Sequence, residues 1–181
     1  MNLKERYLLW SSNLWNFSDG LLGPLFAVFT QKIGGDIMEI TYAWAAYLFT
    51  TGVLTIVFGK ISDKKKNYEL LCFLGYALNT VCTFGYVFVS NTFELLLLQV
   101  GLGFSLALAN PTWDALFQKH MTKKKEGFIN GLASGEAKIL TAFSVLFGGL
   151  VIKFTSFEVL FIFMGFIQLA ATYYQAKLLY K

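Results

Sequence analysis

Long apolar stretches separated by short polar connections dominate the pattern of this sequence. A helix that crosses a bilayer needs about 20 mostly apolar residues. Six stretches reach that length: approximately Tyr7–Thr30, Ile40–Phe58, Leu70–Val89, Phe93–Phe117, Gly127–Ile152 and Phe157–Ala176. The pattern therefore predicts an all-α integral membrane protein with six transmembrane helices. No connection is long enough to separate two units, so residues 1–181 are expected to form a single domain.

Composition supports the membrane assignment and removes several classes of protein. Hydrophobic residues make up 56% of the chain and charged residues 14%, whereas soluble domains carry about 25% charged residues. The chain has one histidine and no Gly-x-x-x-x-Gly-Lys segment, so neither a histidine-based metal site nor P-loop ATP hydrolysis is expected. No Ser/His/Asp set falls at one depth. We therefore expect a protein that is not an enzyme and that uses no cofactor or metal.

Lysine and arginine lie mostly on one side of the predicted membrane. Twelve of the fifteen basic residues fall at the two ends of the chain or in the second and fourth connections. Only Lys32 and Lys153 fall on the other side, and Lys138 lies within the fifth helix. Because cytoplasmic loops carry the excess of Lys and Arg, we expect a cell (cytoplasmic) membrane protein with both termini cytoplasmic. Topology thus explains the basic loops, and no nucleic-acid partner is expected.

A weak internal repeat suggests how the six helices are related. The only two prolines, Pro24 and Pro111, are 87 residues apart, and a Gln-Lys pair follows each of them seven residues later. Pro24 falls in the outer part of the first predicted helix and Pro111 in the inner part of the fourth. Transporters are often built from such inverted repeats. The sequence therefore predicts 3+3 inverted repeats, about 1–90 and about 91–181.

Polar side chains at membrane depth are the candidates for a substrate or ion cavity, because they are costly there unless they face a partner or water. The predicted cavity residues are Asn13, Asn16, Asp19, Gln99, Asn110, Glu136 and Lys138. Asp19 falls near mid-bilayer on a polar, small-residue side of the first helix. Two interpretations stay open for Asp19: a substrate or proton site, or a carboxyl that is hydrogen-bonded inside a helix seam.

The fifth predicted helix carries two charges and a stripe of glycines. Glu136 and Lys138 are separated by about 200° around a helix, so they cannot pair with each other. Gly127, Gly131 and Gly135 are expected to allow close helix packing. We predict an ion pair between Lys138 and Asp19. That pair is either structural or opens when substrate or a proton binds.

The second connection carries a recognisable motif. Residues 59–66 read GKISDKKK, which resembles the loop signature of the major facilitator superfamily at Gly59, Asp63 and Lys64. Lys66 stands where that family has a second glycine. The fourth helix, which ends Asn110-Pro111 through Phe117, and the glycine-rich fifth helix are also similar to this family. The resemblance covers the whole chain, but only as one major-facilitator-type half, the N-terminal half.

The resemblance implies a mechanism. First and fourth helices would line a cavity, while second and fifth helices would touch the other half. Gly59, Asp63, Lys64 and Asp114 would form a gating loop, in which Asp63 meets the start of a fifth helix at residues 122–125. Asp114 would pair with Lys64 or Lys66 as a gate or loop anchor, although a substrate role stays open for it. Leu97 replaces the arginine that this family often carries, so no proton-coupling scheme is carried over.

Six helices would form only one wall of the cavity, so a second half is needed to complete it. The second half is expected to be another copy of the chain in a homodimer, since two-fold homo-oligomers are the commonest kind. The alternatives are a separate C-terminal-half protein, or a twelve-helix transporter of which this chain is the truncated N-terminal half. The expected function is a half-size secondary transporter that moves a small solute by alternating access, with proton coupling left open. The alternative is a non-transporting scaffold or receptor that retains the fold.

Overall fold

The structure, a computed structural model, describes residues 3–65, 67–121 and 126–179. Within these ranges the chain forms helices and no strand, which confirms the all-helical prediction. The α-helices are α1 (Leu3–Leu22), α2 (Leu25–Lys32), α3 (Ile37–Lys65), α4 (Tyr68–Gly85), α5 (Thr92–His120), α6 (Glu126–Phe154) and α7 (Phe157–Ala176). A 3-10 turn, Tyr86–Phe88, extends α4. We call the end of the bundle that carries residues 3 and 179 the near end, and the opposite end the far end.

The predicted first span is two helices, because the chain breaks at Gly23-Pro24. Pro24 has no N–H for the helical ladder and stands at the N-cap of α2 with φ −67°. α1 is also less apolar than the other long helices, since serine, asparagine and aspartate side chains interrupt it. Within the described residues, five helices are long and apolar enough to cross a membrane: α3, α4 with its 3-10 turn, α5, α6 and α7. A count of six therefore requires α1 and α2 to act as one broken span.

The helices pack in the order α3, α5, α4, α7, α1, α6. Glycines bring neighbouring backbones together along this row. A Cβ atom on Gly75 of α4 would lie 2.9 Å from Cβ of Ala109 in α5, and one on Gly103 of α5 would lie 3.0 Å from Cβ of Thr50 in α3. Contact between α1 and α5 is sparse by comparison. The row therefore leaves a cleft between these two helices, with α4 behind it.

Gly127, Gly131 and Gly135 do not pack against another helix among the described residues of this chain. A Cβ atom added to any of the three meets nothing within 4 Å among the described residues. The close approach of α6 to α1 occurs nearer the far end, where Gly148 abuts the backbone of Leu21 and Gly20 abuts Ser144. The regular spacing of the three glycines located a small-residue surface, but this surface faces away from the helices of its own chain.

A layer of buried polar side chains lies between two apolar cores. The near-end core contains Leu8 and Leu116, and the far-end core contains Phe29 and Phe161. The buried polar residues between them are Ser18, Asn79, Thr80, Thr83, Ser105, Gln168 and Thr172. Hydrogen bonds tie helices together in this layer, including one of 2.8 Å between the hydroxyls of Thr80 in α4 and Thr172 in α7. Polar groups at this depth are therefore mostly satisfied by neighbouring helices, as an apolar surrounding requires.

The far-end turn before α3 is fixed by a reciprocal cap. Asp36 Oδ1 accepts hydrogen bonds from the backbone N–H groups of Met38, at 2.6 Å, and Glu39, at 3.1 Å, while the N–H of Asp36 donates to Glu39 Oε2 at 2.9 Å. This arrangement is a capping box. Hydrogen bonding with the Glu39 side chain, followed by the backbone N–H groups of Glu39 and Met38, lowers the pKa of Asp36 below its ordinary value of 3.8.

Candidate functional site

The cleft between α1 and α5 contains two neighbouring pockets, called here the near and far parts of the groove. Its near part, about 360 Å³, is lined by Ser12, Asn16, Tyr76, Asn110, Trp113 and Asp114, among others. Its far part, about 110 Å³, is lined by residues that include Trp44, Tyr47, Asn79, Tyr86 and Gln99. Asp19 lines both parts. The groove thus has a single carboxyl group at the junction of its two compartments, on the helix that the sequence singled out.

Asp19 is exposed to the groove and is held by a residue of α7. Gln168, which is fully buried, donates a hydrogen bond from Nε2 to Asp19 Oδ1 at 3.1 Å. The ion pairs among the described residues do not include one between Lys138 and Asp19. The predicted pair is therefore not formed in this structure, and a neutral amide takes its place. Lys138 is exposed on α6 and is not among the residues that line the groove.

Asn13 and Glu136 form a site of their own, on another side of α1. Asn13 Nδ2 donates to Glu136 Oε2 at 2.9 Å, which joins α1 to α6. Both residues line a separate crevice of about 410 Å³, together with Arg6 and Trp10. Asn13 and Asp19 are six residues apart, which turns them about 240° from each other around the helix. The prediction of one cavity for all these residues is therefore wrong for Asn13 and Glu136.

The remaining predicted cavity residues do come together. Asn16 and Asn110 line the near part of the groove from opposite walls, on α1 and α5. Gln99 lines the far part, where its Nε2 donates to the hydroxyl of Tyr86 at 3.3 Å. With Asp19, these residues place amide and carboxyl groups along the whole length of the groove.

Several groove residues were missed by sequence reasoning, which concentrated on charges in α1, α5 and α6. Asn79 and Thr83 of α4, one helical turn apart, line the far part. Gln168 of α7 donates a hydrogen bond to Asp19 from behind the groove. A signal did exist, because Asn79, Thr83 and Gln168 are polar residues inside apolar stretches. Trp44 and Tyr47 gave no such signal, since aromatic residues are common throughout this chain.

The predicted gating loop is only partly described. Asp63 and Lys64 are exposed at the near end of α3, where Asp63 Oδ1 accepts a hydrogen bond from the hydroxyl of Tyr68 at 3.4 Å. Lys66 and residues 122–125 lie outside the described residues. Asp114 lines the groove, and the ion pairs among the described residues do not include one between Asp114 and Lys64. That predicted pair is not formed here. An exposed pair of Lys119 with Glu69, at 3.4 Å, links α5 to α4 at the near end instead.

Nearly the whole chain is similar to known proteins. Residues 8–180 match the Major Facilitator Superfamily. The chain is a member of that superfamily. An uncharacterized MFS-type transporter of Methanocaldococcus jannaschii is 22% identical over 170 residues, which cover 93% of this chain and 44% of that protein. The resemblance found in the sequence is therefore confirmed, and this major facilitator chain is a multi-pass membrane protein that spans less than half the length of its relative.

Proposed function

We propose that this chain is half of a secondary transporter, which moves a small solute by alternating access and obtains its second wall from another copy of itself. The observation that carries the proposal is the groove between α1 and α5, in which Asp19 is exposed at membrane depth. Such a group is costly unless it serves a pathway or a partner. A scaffold that only retained the fold has no need of an exposed carboxyl group at this place.

In the proposed topology, α1 and α2 together form the first of six spans. The unpaired backbone groups of a broken helix are tolerated at membrane depth where they border protein or a cavity, and Gly23 at the break lines the far part of the groove. Among the described residues, the basic side chains toward the near end outnumber those at the far end: Lys4, Arg6, Lys60, Lys64, Lys119 and Lys177 against Lys32 and Lys153. The positive-inside rule then places the near end, with both termini, in the cytoplasm.

The packing order supports two inverted repeats. The row α3, α5, α4, α7, α1, α6 reads the same from both ends when α1 is exchanged with α5, α3 with α6, and α4 with α7. These exchanges are the ones that a repeat of about 1–90 and about 91–181 requires. The row also puts α3 and α6, the second and fifth proposed spans, at its two edges, where each has neighbours on one side only.

The two edge helices carry surfaces suited to a partner. On α3, a Cβ atom added to Gly52 or Gly59 meets nothing within 4 Å among the described residues, as is true of Gly131 and Gly135 on α6. Small residues let transmembrane helices approach closely. A two-fold axis along the membrane normal would bring α3 of one copy against α6 of the other. Lys138, three residues after Gly135 and seven after Gly131, lies on the same side of α6.

A cross-linking experiment tests the second wall. Chains with Asp63→Cys and chains with Glu126→Cys, which carry different tags, are co-expressed and oxidised in native membranes. The proposed arrangement predicts a disulfide between the two tagged chains. The control combines Asp63→Cys with Glu158→Cys, which lies at the far end and should not cross-link. A monomer in native mass spectrometry from mild detergent, or cross-linking to a different protein only, would contradict the homodimer.

Uptake into proteoliposomes tests transport itself. A panel of small cationic, neutral and anionic solutes is offered with and without a pH gradient. Asp19→Asn is expected to abolish or strongly reduce uptake of the transported solute. Lys138→Ala is expected to reduce it as well, since Lys138 is the charge at membrane depth on the edge that faces the second wall. Unchanged uptake in both variants would contradict the proposed roles.

A further inference from the structure

We propose that the groove is selective for organic cations, with the positively charged head of the solute beside Asp19 and the aromatic rings of the far part. This inference rests on the proposed transport function and names its substrate class. Three independent features of the groove support it: the sign of its charges, the aromatic rings of its far part, and an unused hydrogen-bond donor on its floor.

The charges that line the groove are of one sign. Asp19 and Asp114 are its ionisable acids, and the described residues that line its two parts include no lysine or arginine. The hydrogen-bond partner of Asp19, Gln168, is neutral. A carboxylate in a low-dielectric site is strongly favoured by a nearby opposite charge and strongly disfavoured without one. An anionic solute would meet only like charges here, whereas a cation would supply the missing counter-charge.

Aromatic side chains surround the far part of the groove. The ring centroid of Trp44 lies 5.5 Å from that of Tyr47 and 5.7 Å from that of Phe26, and all three line this part together with Asp19. Aromatic faces attract ammonium groups, with tryptophan the strongest. A tilted group of three rings beside a carboxylate is suited to a methylated ammonium, whose apolar surface is attracted by the rings while its charge is attracted by Asp19.

The floor of the far part offers a hydrogen-bond donor that the protein does not use. Asn79 is 2% exposed, and its Oδ1 accepts a hydrogen bond from Ser105 at 3.2 Å. Its Nδ2 has no hydrogen-bond partner within the described part of the chain, although buried polar groups are almost always paired. Because Asn79 lines the groove, an acceptor atom of a bound solute or a solute-bridging water would satisfy it.

Binding to the full chain in lipid nanodiscs tests this inference. The probe is radiolabelled benzyltrimethylammonium, and its competitors are neopentylbenzene, the neutral carbon isostere, and phenylacetate, an anion of similar size. The native chain is expected to bind the cation at least tenfold more tightly than either competitor. Trp44→Leu should weaken cation binding by about two- to thirtyfold, the range from an exposed to a desolvated cation–π contact, and Trp44→Phe should recover part of the loss.

Substitution of the acid provides the second arm. Asp19→Asn keeps the shape of the side chain and should weaken cation binding at least tenfold, while binding of neopentylbenzene stays unchanged. Asp36→Asn makes the same change at the far-end turn, outside the groove, and should have no effect. If Asp19→Asn does not fold, the comparison of cation with isostere on the native chain still decides the matter.

The outcomes separate this inference from the proposed function. If the native chain prefers the cation and Asp19→Asn loses that preference, the inference is supported. If the cation binds in this way but no solute of the panel is taken up, the inference is still supported and the transport function is contradicted. Equal binding of all three probes, preference for phenylacetate, a cation preference that persists in Asp19→Asn, or binding of none of them overturns it. Uptake of a neutral or anionic solute in the panel would support the transport function but contradict the proposed selectivity for organic cations.

Discussion

Substitution of Gly148 tests whether the packing of α1 against α6 is set by direct backbone contact. A methyl group on Gly148 would lie 2.9 Å from the carbonyl carbon and 3.1 Å from Cα of Leu21, and closer still to the carbonyl oxygen. Carbon atoms in ordinary contact are about 3.5–4.0 Å apart. Backbone atoms cannot rotate out of the way as a side chain can. Gly148→Ala therefore forces the two helices apart, and overpacking of this kind costs about 1–3 kcal/mol.

The neighbouring glycine is a matched control. A methyl group on Gly149 meets nothing within 4 Å among the described residues. Both substitutions replace glycine by alanine in the middle of the same helix, so each gains the same intrinsic helix propensity of about 0.8–1.0 kcal/mol. That gain cancels when the two variants are compared with each other. Their difference in unfolding free energy isolates the contact with Leu21.

Thermal unfolding of the purified chain in mild detergent measures this difference. For a chain of this length, about 2–4 °C of midpoint corresponds to 1 kcal/mol, so Gly148→Ala should melt about 2–12 °C below Gly149→Ala. Gly149→Ala should melt at or slightly above the native midpoint. Equal midpoints for the two variants would refute the packing argument, because they would mean that α6 does not touch α1 at Gly148.

Three further predictions follow from other contacts. A double-mutant cycle of Thr80→Val and Thr172→Val should give a coupling free energy of about 0.6 kcal/mol in an unfolding titration, the average for interhelical hydrogen bonds in a membrane protein, and zero coupling would contradict the bond. Gln168→Leu should weaken binding of the cationic probe, whereas Gln175→Leu, an equally buried change on α7 away from the groove, should leave it intact; equal losses would contradict a specific role for Gln168. The cap of α3 should hold at pH values above the ordinary pKa of Asp36, 3.8, and should be lost as the pH falls through the lowered pKa of the folded chain. A carboxyl group with a lowered pKa stabilises the fold only while it is ionised. Amide exchange in residues 37–40, corrected for intrinsic rates, should then accelerate in acid in the native chain but not in Asp36→Asn, which retains a capping side chain.

The sequence by itself determined the class of this protein and much of its architecture. Apolar stretches of spanning length, interrupted by short polar connections, predicted the helices, and the motif at Gly59, Asp63 and Lys64 pointed to the superfamily. Asp19, Asn16, Gln99 and Asn110, which the sequence also singled out, line the groove. These predictions succeeded because hydrophobicity and the cost of polar groups in lipid act locally, and a single stretch of sequence displays them.

Only the tertiary structure decided which polar groups meet. The sequence predicted that Lys138 would neutralise Asp19, but the partner is Gln168 of α7, 149 residues away along the chain. It also assigned Asn13 and Glu136 to the groove, although the rotation of α1 turns them into a separate crevice. Helical periodicity tells which residues share a side of one helix, but it does not tell which neighbour that side faces. That choice depends on the packing order of all the helices, which close contacts such as Gly148 with Leu21 fix.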